Sequence, residues 1–366
     1  MSRARPAATG LYDLTRDELF EALAGQPGYR AGQVWQALYG AGRRPEEMTN
    51  LPRDLRADLE GRFPPALTRR AESVSDDGQT LKWLWSAAGG ASIETVLMLY
   101  PDRATACVSS QAGCAMNCGF CATGQAGFKR HLSTGEILEQ VVAARRAAEP
   151  RRLSNIVFMG MGEPLANYDR MWAAIERINT DMDISARHIT VSTVGVVPGI
   201  RRLAHEALPV NLAVSLHAAN DGLRNSLVPL NRRYPLDALM EVCRQYLTAK
   251  NRRLSFEWAL ISGVNDRVSD ARELAALAVP LGAHVNLIPL NPTPGYRVRG
   301  TDAGGVRRFR DDLHRLGVNA TVRRNRGTDI DAACGQLAAR TAEGTVEVQM
   351  SRTGRAAGVS AGAVPH

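Results

Sequence analysis

Hydrophobic residues change their spacing twice along this chain. Between residues 13 and 63 they recur at helical intervals, in "LTRDELFEALA", "AGQVWQALYG" and "LPRDLRADLEGRF". That spacing predicts a small helical unit, and Thr15 and Glu18 stand at capping-box spacing where it opens. The next stretch, "RRAESVSDDGQTLKWLWSAAGGASIETVLMLY", alternates in short runs around Asp77-Gly78 and Gly89-Gly90, the pattern of a β-meander with two turns. From about residue 104 the rhythm becomes short apolar runs separated by helical intervals. The runs are "ATACVSS" (104–110), "NIVFMG" (155–160), "HITVSTV" (188–194), "VNLAVSL" (210–216), "LSFEWALI" (254–261) and "HVNLIPL" (284–290). Strand and helix in alternation predict an α/β fold, a parallel sheet with helical crossovers. Six such units predict a partial (β/α)6 barrel of TIM-like type, with "NATVRRN" adding a late strand. The expected organisation is a helical domain at 1–65, a meander connector at 66–99, the barrel at 100–335 and a tail at 336–366. The end of that tail, "SRTGRAAGVSAGAVPH", is small, polar and patternless, as in disordered segments.

No apolar run approaches the roughly 20 residues of a membrane span. The first residues, "MSRARPAATGLYDL", lack the apolar core of a secretory signal. The expectation is a cytoplasmic protein with no membrane attachment, in a compartment where clustered cysteines point to metal or redox chemistry rather than structural disulfides. The net charge is +8, from 45 basic and 37 acidic residues, and all basic residues but Lys82, Lys129 and Lys250 are arginine. A guanidinium fork matches phosphate and stacks on bases, so recurrent arginine doublets such as 145–146 and 323–324 fit RNA. An arginine bias beside abundant alanine and glycine also follows from genome composition, with the charges merely solvated. Charge alone leaves both readings open.

Parallel α/β architectures place chemistry in loops after the carboxyl ends of strands. Four of the six cysteines fall in "CVSSQAGCAMNCGFC", residues 107–121, and Cys114, Cys118 and Cys121 follow the first barrel strand. "MGMGEP" (159–164) follows the second, Ser192 closes the third, "SLH" (215–217) the fourth and "LNP" (290–292) the sixth. One mouth of the barrel would collect them all. The Cys-x3-Cys-x2-Cys spacing differs from the paired Cys-x2-Cys of structural zinc, and no second pair exists. Three thiolates on an iron-sulfur cube leave one iron open to a small molecule; zinc with His131 as fourth ligand is the alternative. Cys243, on the helical face "LMEVCRQYL", reads as a small buried hydrophobe. Trp35 and Tyr39, at helical spacing, read as core, with a base-stacking platform as the alternative.

Cys-x3-Cys-x2-Cys after a first barrel strand, with "GEP" after the second, resembles the signature of the radical S-adenosylmethionine enzymes. The resemblance implies a [4Fe-4S] cluster on Cys114, Cys118 and Cys121, whose open iron chelates the amino and carboxylate groups of S-adenosylmethionine. It implies that Gly162 and Glu163 lie against the methionyl amino group, and that Ser192, Ser215, Leu216, His217 and Asn291 line the rest of the cofactor site. More narrowly, "CVSSQAGCAMNCGFCATGQAGF", "VFMGMGEPLANY", "VSLHAAND", "IPLNPTPG" and "RGTDIDAACGQLA" are similar to the ribosomal RNA adenine C2-methyltransferases that also act on transfer RNA, over about residues 14–340.

On that resemblance Cys334 takes a methyl group from one cofactor molecule and a second molecule generates a radical on it. The methylene adds to the electron-poor C2, and Glu94 or a water takes the C2 proton. Cys107 then attacks the Cys334 sulfur, leaving a disulfide. Asp329 and Asp331 shape the loop around Cys334. The implied partners are 23S rRNA, tRNA and an electron donor such as flavodoxin or ferredoxin, acting with a monomer. The target adenine has to be unpaired or extruded, because pairing blocks its C2 edge, and the helical unit and arginine doublets would grip the backbone. Two other functions share the motifs: C8 methylation of the same adenine by closely similar resistance enzymes, and a cluster-bearing RNA-binding or redox-sensing protein without turnover.

Overall fold

The structure is a computed structural model, and it describes residues 10–291, 298–323 and 327–332. The chain starts with the predicted helices α1 (Arg16–Ala22), α2 (Tyr29–Ala41) and α3 (Arg53–Arg62). The capping box is formed: the Thr15 N–H donates to the Glu18 carboxylate at 2.7 Å, and the Glu18 N–H donates to the Thr15 hydroxyl at 3.2 Å. Leu19, Val34, Leu38 and Leu59 bury the apolar faces, each worth ~1.5–3 kcal/mol of transfer energy.

Strands β1 (Thr68–Val74), β2 (Thr80–Ser86) and β3 (Ser92–Leu99) form the antiparallel meander. It is continuous with the rest of the sheet, because β3 pairs antiparallel with β4 (Ala104–Cys107), Val96 opposite Cys107. The chain then makes a separate hairpin, β5 (Gln111–Gly113) and β6 (Phe128–His131), with the short helix α4 (Ala122–Gln125) between them. The run expected as one strand over 104–110 therefore ends at Cys107.

After α5 (Thr134–Ala148) come β7 (Leu153–Phe158), α6 (Tyr168–Thr180), β8 (Ile189–Thr193), α7 (Val197–His205), β9 (Asn211–Ser215), α8 (Asp221–Leu227), α9 (Leu236–Lys250) and β10 (Leu254–Leu260). The alternation ends with α10 (Val268–Ala278), β11 (His284–Pro289), α11 (Ala303–Arg315) and β12 (Ala320–Val322). The sheet order is β1-β2-β3-β4-β7-β8-β9-β10-β11-β12, parallel from β4 onward.

Period-two alternation sorts the parallel strands' side chains. Ile156, Val191, Val214, Phe256, Trp258 and Leu287 pack into the apolar core, on the face that the crossover helices cover. The opposite face holds Cys107, Asn155, Thr190, Ser255, Glu257, Asn286 and Thr321, all lining a single cavity of ≈ 950 Å³. Strands β3 through β12 thus curl around a polar hollow, the partial barrel that the alternation predicts.

The helical unit packs on the barrel's outer helices. Arg145 Nη1 donates to the Tyr39 carbonyl at 2.8 Å, Arg177 Nη1 to the Tyr12 carbonyl at 2.7 Å, and the Gly135 N–H to Asp13 Oδ1 at 2.7 Å. Trp35 and Tyr39 are core, not a platform: both are buried, their rings 4.4 Å apart, and Trp35 Nε1 donates to Asp181 at 2.9 Å.

Candidate active site

The cysteines sit where a hairpin pinches off a loop. β5 pairs with β6, Gln111 opposite His131, and closes residues 114–127 into a lobe beyond the carboxyl end of β4. The pinch requires glycine: a Cβ on Gly113, at φ +74°, would lie 1.9 Å from the Gly127 carbonyl oxygen. The same oxygen accepts from the Cys114 N–H at 3.0 Å, and the Cys121 N–H donates to the Cys118 carbonyl at 3.1 Å. Arg130 on β6 forks onto Glu136 at 2.8 and 2.6 Å, which anchors the hairpin to the capped start of α5.

Cys114, Cys118 and Cys121 all line one cavity of ≈ 150 Å³, together with Gly162, Glu163, Ser192, Ser215, His217 and Asn291. The strand ends collect the expected residues at one mouth. Leu216 is the exception in kind: its side chain is fully buried in the apolar core. It does not line the cavity, and its N–H donates to the Glu257 carbonyl at 3.0 Å.

Among the described residues no three His, Cys, Asp or Glu side chains converge closely enough for one metal ion. The three cysteines line one shared cavity, an arrangement that fits a cube with one thiolate per iron. His131 does not line this cavity, and its Nδ1 lies 3.0 Å from Gln111 Nε2. Burial pushes the Cys114 thiol up to about 12, the Met116 N–H partly opposing it, and burial raises Cys118 as well. These thiols ionise when a cation compensates them, as iron in a cluster does.

Buried polar side chains hold the cavity wall. Gly162, at φ +102°, packs so closely on Gln111 that a Cβ would lie 2.5 Å from the Gln111 Cβ. Gln111 Oε1 accepts from the Glu163 N–H at 2.8 Å. The Glu163 carboxylate accepts from the Leu165 N–H at 3.0 Å and the Val194 N–H at 2.9 Å, locking the β7 loop to the β8 loop. Burial raises its pKa to about 7 against those backbone donors. His217 sits at φ +59° with Nδ1 accepting from the Ala259 N–H at 3.0 Å. That bond leaves the ring proton on Nε2, and burial followed by Arg224 lowers the pKa to about 3, so the imidazole is neutral.

Arg224 was not singled out by any motif in the sequence. It is buried, and it donates to the carbonyls of Leu216 at 3.1 Å, Val194 at 2.7 Å and Ser215 at 3.3 Å, and to Asn231 at 2.6 Å. One guanidinium thus fixes the ends of β8 and β9. Burial lowers its pKa to about 10, which leaves it charged. Cys243 keeps its bland reading: it is fully buried in the apolar core.

Of the expected catalytic residues, Cys107 and Glu94 are among the described residues. Cys107 is buried and lines the larger hollow, and the two cavities share Met159, Glu257 and Arg323. Glu94, on β3, lines neither cavity; its carboxylate lies 3.4 Å from Lys82 Nζ. Its carbonyl accepts from the Ser109 hydroxyl at 2.6 Å, and the Ser109 N–H donates to the fully buried Gln140 at 2.8 Å. Lys82 also donates to the Asp331 carbonyl at 3.3 Å, and the Asp76 N–H donates to Asp329 at 2.8 Å. Residues 327–332 are thereby tied to the β1–β2 hairpin, beside the Glu94 strand. Cys334 lies outside the described residues.

Part of the positive charge serves the fold. Arg146 forks onto Glu47 at 2.7 and 2.6 Å, Arg152 reaches Asp183 at 3.2 Å, and Arg202 reaches Asp169 at 2.6 Å. Among the described residues no helix is long and apolar enough to cross a membrane.

The radical SAM superfamily profile matches residues 108–275. A probable dual-specificity RNA methyltransferase RlmN from Frankia casuarinae is 52% identical over 357 residues, covering 93% of this chain and 85% of the relative. Its counterpart from Chloroflexus aurantiacus is 49% identical over 350 residues, covering 90% and 93%. The crystal structure of a radical SAM methyltransferase from Sphaerobacter thermophilus superposes with a TM-score of 0.88 at 51% identity, covering 91% of this chain and all of that one. With a three-cysteine lobe over the mouth of a partial barrel and half its residues shared along nearly its whole length, this chain belongs to the RlmN family of radical SAM RNA methyltransferases.

Proposed function

We propose that this enzyme methylates C2 of an adenine in 23S rRNA, at the peptidyl transferase centre, and of the adenine 3′ to the anticodon in tRNA. Membership of the superfamily implies a [4Fe-4S] cluster and S-adenosylmethionine, and Cys114, Cys118 and Cys121 are the residues that would hold the cluster. Gly162, Glu163, Ser192, Ser215, His217 and Asn291, with the Leu216 backbone, would hold the S-adenosylmethionine. When bound, these groups supply the methyl carbon and the radical that activates it, with two cofactor molecules consumed per turnover and a flavodoxin- or ferredoxin-type donor giving the electron.

The chain's own residues do the rest. Cys334 carries the methyl carbon on its sulfur and, once activated, bonds it to C2, joining protein and RNA; the adduct then gives up its one unpaired electron, for which the cluster would be the acceptor. Glu94, whose carboxylate lies 3.4 Å from Lys82 Nζ, or a water accepts the C2 proton. Cys107 then attacks the Cys334 sulfur as a thiolate; the carbon–sulfur bond breaks, the departing carbon takes a proton, and a disulfide remains for an external thiol to reduce. The observation that carries this reading is that the Cys107 hollow and the three-cysteine cavity share Met159, Glu257 and Arg323. The reacting carbon therefore has a short route between them.

Anaerobic reconstitution with methyl-labelled S-adenosylmethionine and ribosomal or transfer RNA tests it. Nucleoside mass spectrometry is expected to find the label on C2 of adenosine. Label on C8, or none in RNA, refutes the assignment.

A further inference from the structure

The barrel hollow contains a carboxylate that the fold satisfies on one side only. Glu257, in the middle of β10, is 4% exposed. Asn286 Nδ2 donates to its Oε1 at 2.8 Å, and the Ser255 hydroxyl donates to the same oxygen at 3.2 Å. Asn286 is oriented in turn by Thr321, whose hydroxyl donates to Oδ1 at 3.0 Å. Oε2 is buried with no hydrogen-bond partner among the described residues. An acceptor left unpaired inside a polar network is costly unless something completes it. Glu257 also lines both cavities, so its free oxygen stands where the cofactor space meets the Cys107 space.

We infer that Glu257 Oε2 accepts a hydrogen bond from the exocyclic N6 amine of the target adenine and so selects that base. This rests on the adenine C2 reading above. In the sheet, β7, β8 and β9 separate β4, which carries Cys107, from β10, which carries Glu257, and both residues line the same hollow. An adenine whose C2 faces the Cys107 wall directs its C6 substituent, beyond N1, away from that wall. The amine is the one donor on that edge, and a carboxylate only accepts. Hypoxanthine keeps a reactive C2–H but presents an oxygen at C6, acceptor against acceptor at that position, its one donor on the edge having moved to N1. Guanine has no C2–H at all.

Single-turnover methylation by the cluster-loaded enzyme, on RNA carrying adenosine, inosine or purine riboside at the target position, tests this. The wild type is expected to react about tenfold or more slowly with inosine and with purine riboside than with adenosine. In Glu257→Gln the amide oxygen meets the Asn286 and Ser255 donors and turns its NH2 into the hollow. The adenosine-to-inosine preference then falls about tenfold or reverses, while iron content and S-adenosylmethionine affinity stay at wild-type values. A wild type indifferent to loss of the amine overturns the inference, whatever the variant's folding. So does an unchanged base preference in Glu257→Gln, or a loss confined to S-adenosylmethionine affinity. A wild type that puts no label on C2 refutes the assigned reaction and this inference together, whereas normal wild-type labelling with an unmoved preference refutes this inference alone.

Discussion

The three-cysteine cavity and the Cys107 hollow meet at Glu257 but are bounded by different means. The first, ≈ 150 Å³, is enclosed by loops whose backbone groups are clamped by the buried side chains of Glu163, Arg224 and His217. The second, ≈ 950 Å³, is bounded by strand faces. Residues 327–332 beside it are tied to the β1–β2 hairpin by the hydrogen bonds of Asp76 N–H to Asp329 and Lys82 to Asp331, and Ala332 is buried against the apolar core. A small cofactor that has to be presented the same way in every turnover benefits from a cage rigid before binding. A nucleotide and a thiol that have to approach and separate need room. In sequence, the proposed carbon carrier Cys334 follows directly on this segment.

Changes on the rigid side are expected to cost most. Cys118→Ala removes a proposed cluster ligand, so anaerobically purified protein is expected to lose its cluster absorbance and its methylation to fall to background; full activity without the cluster would break the distinction between the two cavities. Arg224→Leu strips donors from the carbonyls of Val194, Ser215 and Leu216, at ~3 kcal/mol or more of stability. Its chemical-denaturation midpoint drops, and KM for S-adenosylmethionine rises more than KM for RNA. An RNA-side effect alone would place Arg224 in the wrong half of the comparison.

Lys82→Met acts on the softer side. It loosens both Glu94 and the Asp331 carbonyl, and slows methylation ~tenfold through lost positioning, with cluster content and cofactor binding intact. Lys82→Arg restores part of the rate, which a loss of folding would not allow.

The smallest effect lies remote from both cavities, at Glu139. Its carboxylate accepts from the N–H groups of Ala66 and Leu67, both at 2.8 Å, and burial raises its pKa to about 7. A carboxyl raised on folding holds its proton better in the folded chain, so its contribution is full below about 4.5 and is lost as pH rises through about 7. Glu139→Gln therefore flattens the fall in melting temperature across that window, by the equivalent of ~1–3 kcal/mol. Glu163 leaves part of the slope, since burial raises it in the same direction.

The periodic parts of the chain were legible because burial writes itself into spacing. Phe256, Trp258 and Leu260 mark one face of β10, and the expected strand 254–261 matches Leu254–Leu260. The cysteine lobe was legible as chemistry but not as structure. β5 and β6 are three and four residues long, and fourteen residues separate them without an ordinary turn, so no local pattern announces the pairing. Arg224 and Gln140 stayed hidden because a buried polar residue that satisfies distant backbone groups looks like any surface residue in sequence. Glu257 left a trace, a charge between Phe256 and Trp258 in a central strand, and its cause appears only when the strand curls and brings Asn286 alongside.

Cys107→Ala, loaded with cluster under anaerobic conditions and given S-adenosylmethionine with target RNA, tests the central claim most directly. RNA is expected to accumulate on the protein, covalently joined through Cys334, as a slowed band on denaturing gels. Release of free C2-methylated RNA at the wild-type rate would contradict the assignment of Cys107 as the thiol that ends the reaction.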